Sequence, residues 1–312
     1  MPPMYKSCHS DPATAGEEST NTNVAANPWI LLPRPRDQDD GPAGAQPSGH
    51  TWLFHSRLLH TLYFIPIYYG TLLLFAAGGF ELCVLGLLAG ALPASERTER
   101  FFQRLIHRHL AFFHWWCDLT RLVHVRYRGF EQWPEGGRVL AANHPAMIDI
   151  TCLLARLPGA VCIFKPAIRR NPVLGAAARR AGYLGSDGGH ELVRHAAEKT
   201  AAGHTLVIFP EGTRSPPGGG LLPFKPGFVL IARRARVPIQ LVRITTDSDL
   251  LAKGVAWWRL PRLPARVEVT TGPLIATDTA ASTTEIARDI EAWFRTPAPG
   301  AVFRQARGQH QP

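Results

Sequence analysis

Disulfide and metal signatures are scarce in this chain. It has five cysteines in 312 residues: Cys8, Cys83, Cys117, Cys152 and Cys162. The number is odd and no Cys-x-x-Cys occurs, which argues against a disulfide framework and a structural zinc site. Buried, reduced thiols in a cytosol-facing protein are the expectation. Gly-x4-Gly-Lys-Ser/Thr, Gly-x-Gly-x-x-Gly, Gly-x-Ser-x-Gly and His-Glu-x-x-His are all absent. Their absence removes the signatures of a P-loop, a dinucleotide fold, a serine-hydrolase elbow and a zincin. Charged residues make up 19% against 46% hydrophobic, so the chain as a whole cannot be disordered. A mean hydropathy of -0.05 excludes a polytopic membrane protein and leaves room for a single anchor.

Negative charge is also in deficit. Lys plus Arg is 34 and Asp plus Glu is 24. Residues 1–52 hold 3 of the basic and 6 of the acidic side chains, so the remaining 260 residues carry 31 against 18. A basic body calls for an anionic partner: nucleic acid, anionic lipid or a phosphorylated substrate. No nucleic-acid motif accompanies the charge, and the basic residues adjoin an apolar segment, so nucleic acid is not an expected partner.

Four regions follow along the chain. Residues 1–52 are Pro-, Ala-, Ser- and Gly-rich without a hydrophobic period and read as a disordered leader. Residues 53–122 read as a membrane anchor plus an amphipathic helix. Thr61–Phe80 holds no charge, Glu81 interrupts, and Leu82–Leu92 is apolar again. Twenty apolar residues match one membrane span. Pro66 and Gly78-Gly79 offer bending points, so either one span ending near Phe80 or a bent hairpin dipping into one leaflet is open. From Glu96 to Leu122, aromatic and aliphatic residues recur at helical spacing beside Arg97, Arg100, Arg104, Arg108 and Arg121, as in a membrane-surface helix. The arginines place this flank on the cytoplasmic side of the inner membrane. His107 and His109 read as interfacial side chains.

Residues 123–296 alternate. Apolar runs at 138–142, 160–165, 205–209 and 237–244 predict strands, and Arg266–Thr270 predicts a later one. Helices are predicted near 146–157, 172–182, 189–202 and 224–235, with a capping box at Ser282 and Glu285 opening a last helix. This is an α/β domain. Residues 297–312 read as a loose tail.

Two short blocks stand at predicted strand ends, where α/β proteins place functional groups. In the first, Asn143 and His144 precede Pro145, and Asp149 follows. With His144 outside the helix, Asp149 can accept from one ring nitrogen and leave the other as a base. The second, Phe209 to Arg214, gathers Glu211, Gly212, Thr213 and Arg214. Arg214 suits a phosphate and Gly212 permits close backbone approach. Lys225, opening a helix, and Lys165, after the strand at 160–164, are further candidate phosphate contacts.

These blocks, about 65 residues apart and followed by Phe224-Lys225-Pro226-Gly227, resemble the bacterial 1-acyl-glycerol-3-phosphate acyltransferases (lysophosphatidate acyltransferases) over residues 120–275. The resemblance implies a glycerolipid-acyltransferase-like sheet flanked by helices, with an N-terminal membrane-anchoring segment. It implies transfer of a fatty acyl group from acyl-CoA or acyl carrier protein to a lysophospholipid hydroxyl. His144 would be the general base and Asp149 its orienting partner, while Glu211, Gly212, Thr213 and Arg214 bind the acceptor phosphate. Acyl-CoA or acyl carrier protein enters as co-substrate, membrane lipid is a partner, and neither a cofactor nor a metal is expected. Two positions depart from the family pattern. Gly188 stands where the family has an arginine for the phosphate, with Arg169, Arg170, Arg179 and Arg180 as nearby replacements. Leu241 stands for a proline. The Gly188 departure keeps a different acceptor open, such as another lysolipid, an amino-lipid or a specialised product. A non-catalytic basic membrane-surface protein is the remaining alternative.

Overall fold

The computed structural model describes residues 57–296, except Leu92, Ala94, Gln132, Pro134, Val173 and residues 217–219. The expected leader and tail lie outside the described residues.

The apolar segment forms one helix, α1 (Arg57–Leu88), which continues past Phe80 and through Pro66. With the turn after it, residues Leu58–Ala91 are long and apolar enough to cross a membrane. A mid-helix proline costs about 3 kcal/mol, so packing must offset it. Phe64, Tyr68, Thr71, Gly78, Leu82 and Gly86 form the buried stripe, at helical spacing. The glycines act as contact points. A Cβ on Gly78 would lie 1.9 Å from the His109 ring, and one on Gly86 would lie 2.8 Å from the backbone of Ala176 and Ala177. They let neighbouring elements approach where a bend was an open expectation. The opposite face, with Leu58, Leu62, Leu73, Phe80 and Leu88, is exposed.

Helix α2 (Glu96–Leu119) starts at Ser95, whose hydroxyl accepts from the Thr98 N–H. Phe102, Gln103, Ile106, Leu110 and Cys117 face inward. Arg97, Arg100, Arg104 and Arg108 share the outer face with exposed Phe101, Phe112, Trp115 and Leu119. Phe64 and Tyr68 of α1 and Phe102 and Ile106 of α2 belong to the same core as strand residues Leu140 and Val242.

The strands are β1 (Val123–Arg128), β2 (Arg138–Ala142), β3 (Val161–Phe164), β4 (Leu184–Gly185), β5 (Thr205–Ile208), β6 (Ile239–Thr246) and β7 (Ala265–Ile275). They form one sheet ordered β1-β7-β6-β2-β5-β3-β4, parallel throughout except between β6 and β7. Short helices α3 (Asp149–Arg156), α4 (Pro166–Arg169) and α5 (Gly175–Arg180) follow, then α6 (Gly189–Ala201), α7 (Gly227–Ala235) and α8 (Thr283–Arg295). β2, whose residues are all buried, lies between β5 and β6. The ends of β2 and β5 are therefore neighbours at the centre of the sheet.

One buried group makes the helical layer acid-sensitive. The His114 Nε2 lies 3.0 Å from the Thr151 hydroxyl, and its Nδ1 is buried without a partner among the described residues. Burial pushes the His114 pKa down to about 4. Its ordinary value is 6.5. Below pH 6.5 the unfolded chain therefore binds a proton that the folded one refuses. Stability is complete above that pH and falls towards pH 4, by up to about 3 kcal/mol from this group. Urea unfolding at pH 7 and pH 4.5 should show a smaller acid loss in His114→Gln than in the parent. Equal losses would sink the assignment.

Candidate active site

The helix predicted from residue 146 starts only at Asp149. The reason is local: Ala146 forms an antiparallel bridge with Ala252, and the Met147 N–H donates to the Leu251 carbonyl at 3.1 Å. Those bonds hold the chain out of the helix for three residues. Pro145 meanwhile disfavours helical backbone at His144. Asp149 thus opens α3, where a carboxylate is favoured by the helix dipole.

The consequence is a His–Asp pair. The His144 Nδ1 lies 2.9 Å from Asp149 Oδ2, and the same oxygen accepts the Ala146 N–H at 2.7 Å. A carboxylate facing Nδ1 selects the tautomer with hydrogen there, leaving Nε2 as the acceptor. The Asp149 side chain is 1% exposed and that of His144 15%. Burial, the dominant effect, pushes the Asp149 carboxyl up, against the pull of His144 and the Ala146 N–H. On one face the His144 ring stacks on Phe209, with centroids 3.9 Å apart and planes 13° from parallel.

Phe209 opens the second block, and the two blocks are sewn together. Glu211 is 3% exposed. Its Oε1 accepts the His144 N–H at 3.1 Å and the Ser215 hydroxyl at 2.6 Å, and its Oε2 accepts the Leu222 N–H at 3.0 Å. The Ser215 N–H donates back to the His144 carbonyl at 2.7 Å. Gly212 has φ +70°, a left-handed position that suits glycine. A Cβ there would lie 3.2 Å from Lys225 Nζ, so Lys225 lies over the turn. The Lys225 N–H also donates to the Pro210 carbonyl at 3.0 Å. Arg214 donates through Nη1 to the carbonyls of Leu251 and Ala252, at 2.8 and 3.0 Å.

The other expected site residues sort by their contacts. Asn143 pairs with the backbone of Ile244, donating at 2.8 Å and accepting at 2.7 Å, and so clips β6 beside β2. Thr213 is half-buried in the same turn. Lys165 is exposed at the start of α4. Gly188 caps α6, and a Cβ there would stand 3.1 Å from the Leu192 nitrogen. Arg179 and Arg180 line a recess of about 310 Å³ with Gly86, Leu87 and Gly90 at the end of α1. Sequence reasoning missed the 247–264 segment, which has no hydrophobic period and reaches the site through backbone carbonyls.

The His144–Asp149 pair and the Arg214-bearing turn thus stand together at adjacent strand ends of a mixed α/β sheet. The family model described as Acyltransferase matches residues 124–245 of this chain. It is 35% identical over 125 residues to a 1-acyl-sn-glycerol-3-phosphate acyltransferase of Helicobacter pylori, covering 38% of this chain and 53% of that one. The chain thus spans about half the length of that relative. It is 32% identical over 140 residues to the lyso-ornithine lipid O-acyltransferase of Pseudomonas aeruginosa, covering 43% and 54%. The crystal structure of the Thermotoga maritima 1-acyl-sn-glycerophosphate (LPA) acyltransferase, PlsC, superposes with a TM-score of 0.58 at 25% identity, covering 76% of this chain and 92% of that one.

Proposed function

We propose that this chain transfers a fatty acyl group from a thioester donor, acyl-CoA or acyl carrier protein, to the hydroxyl of a 1-acylglycerol-3-phosphate at a membrane surface. The observation that carries the reading is the His144–Asp149 pair, with Asp149 buried and Nδ1 engaged. His144 Nε2 takes the acceptor hydroxyl proton as the oxygen attacks the thioester carbonyl. The carbon–sulfur bond then breaks, and the proton passes from the imidazolium to the departing thiolate. Asp149 stays ionised and holds the imidazolium. Lys225 and Arg214, on the turn sewn to His144, favour an anionic acceptor, and no covalent acyl-enzyme is formed. The exposed apolar face of α1 and the arginine–aromatic face of α2 suit a membrane-bound enzyme whose catalytic domain faces the cytoplasm.

A second acceptor class has its own support. Gly188 replaces the family arginine, and one relative is named for a lyso-ornithine lipid, an amino-lipid acceptor. Acyl transfer to labelled lysophosphatidate and to lyso-ornithine lipid, with each donor offered separately, tests both. Phosphatidate formation that requires His144 is the expected result. Product from the amino-lipid alone would move the acceptor, and no product from either would overturn the reading.

A further inference from the structure

Residues 247–264 reach both the apolar helix and the His144 loop. At the neck, the Ser248 hydroxyl donates to the Arg262 carbonyl at 2.6 Å and the Arg262 N–H donates to Asp249 Oδ1 at 2.8 Å, closing a compact loop. At its inner end, Leu251 and Ala252 hold Ala146, Met147 and Arg214, as described above. Leu251 sits at φ +54°, a left-handed conformation disfavoured for leucine, so its contacts must hold it there. At its outer end, the Tyr68 hydroxyl donates to the Trp257 carbonyl at 2.5 Å and the Tyr69 hydroxyl to the Trp258 carbonyl at 2.7 Å. His60 of α1 lies 2.9 Å from the Leu263 carbonyl.

The two indoles themselves face outward. Trp257 is 56% and Trp258 60% exposed, with ring planes 87° apart. Exposed Arg259 and Arg262 flank them. Through Tyr68 and Tyr69 this knuckle is continuous with the α1 face that exposes Leu58, Leu62, Ile65 and Leu73. An apolar face extended by an aromatic pair and edged with arginines matches the layers of an anionic bilayer: hydrocarbon, interface and charged headgroups.

We infer that residues 247–264 form a strap whose Trp257–Trp258 knuckle seats in the headgroup layer of an anionic bilayer. Its inner end, through Leu251 and Ala252, positions the loop that carries His144. The inference deepens the membrane-lipid reading above and rests on it for the identity of the surface. Trp257 and Trp258 are positioning residues, far along the chain from the proton transfer and acting through backbone bonds.

Two variants of the full chain test it with vesicles of phosphatidylcholine and phosphatidylglycerol. Trp257→Phe/Trp258→Phe keeps the apolar surface but removes two fluorophores. If the knuckle sits in the headgroups, brominated lipids should quench less of its emission than of the parent's. An unchanged quenchable emission would overturn the docking. Trp257→Ala/Trp258→Ala addresses the coupling. Vesicles should slow amide exchange across residues 143–152 in the parent, and the slowing should be lost in the variant. Equal slowing in both would overturn the strap's positioning role. Neither readout needs turnover, so an inactive parent would count against the proposed function alone. If transfer is observed, the alanine variant should raise apparent KM for vesicle-borne acceptor and leave a monomeric short-chain acceptor unaffected.

Discussion

Replacing His144 with alanine is expected to lower kcat by about 10²–10⁴-fold, the ordinary worth of a positioned general base. The fold should survive. The variant removes one of the two donors to Asp149 Oδ2 and keeps the Ala146 N–H at 2.7 Å. Losing one hydrogen bond to a buried carboxylate costs about 1–3 kcal/mol, which a domain of ordinary stability tolerates. A cooperative urea transition with turnover gone is therefore the expected pair of measurements. Parent-like turnover in a folded variant would remove His144 as the base.

The partner residue sharpens the test. Asp149 Oδ2 accepts from both His144 and Ala146, so the amide oxygen of Asp149→Asn can keep both bonds and lose only the charge. The asparagine variant should slow turnover less than His144→Ala does. If Asp149 acts only through the ring, adding Asp149→Asn to His144→Ala should cost no further turnover, because residues that act as a unit are non-additive. A full additional loss in the double variant would mean that Asp149 touches the substrate itself.

Much of this arrangement is legible in the residues. After their first residues, Arg138 and Thr205, β2 and β5 are continuous apolar runs, as suits strands at the centre of a sheet covered on both faces. The Ser282–Glu285 box is present with both of its bonds. β1 escaped because basic residues interrupt Val-His-Val-Arg-Tyr-Arg, and its register is set by pairing with β7, far along the chain. β7 runs to Ile275, past the alternating stretch at 266–270, because β6 supplies a partner along that length. The site shows a similar division. Residue types identify a base, a carboxylate and a cationic turn. They do not say which atoms are already engaged. The Arg214 Nη1 is committed to two carbonyls of a segment that has no pattern of its own, and Asn143 is paired with the Ile244 backbone. Such bonds depend on where the backbone passes, and side-chain spacing does not encode that.

Glu211 is where this distinction has its largest consequence. The sequence suggests a carboxylate that meets the acceptor, but in the fold both its oxygens face protein donors: the His144 N–H, the Ser215 hydroxyl and the Leu222 N–H. Glu211→Ala strands three donors in a buried place, so a loss of about 3–5 kcal/mol in stability is expected. Glu211→Gln is the sharper probe. It keeps the shape but turns one acceptor into an NH₂ group, which must face an N–H or force a rearrangement. We expect it to lower the urea midpoint and to reduce kcat, because the His144 backbone loses its fixed position. KM for the acceptor should change less than kcat. A direct substrate contact predicts the reverse, an unchanged midpoint with a raised acceptor KM. Measuring both constants beside the unfolding curve separates a brace between the two blocks from a ligand of the acceptor.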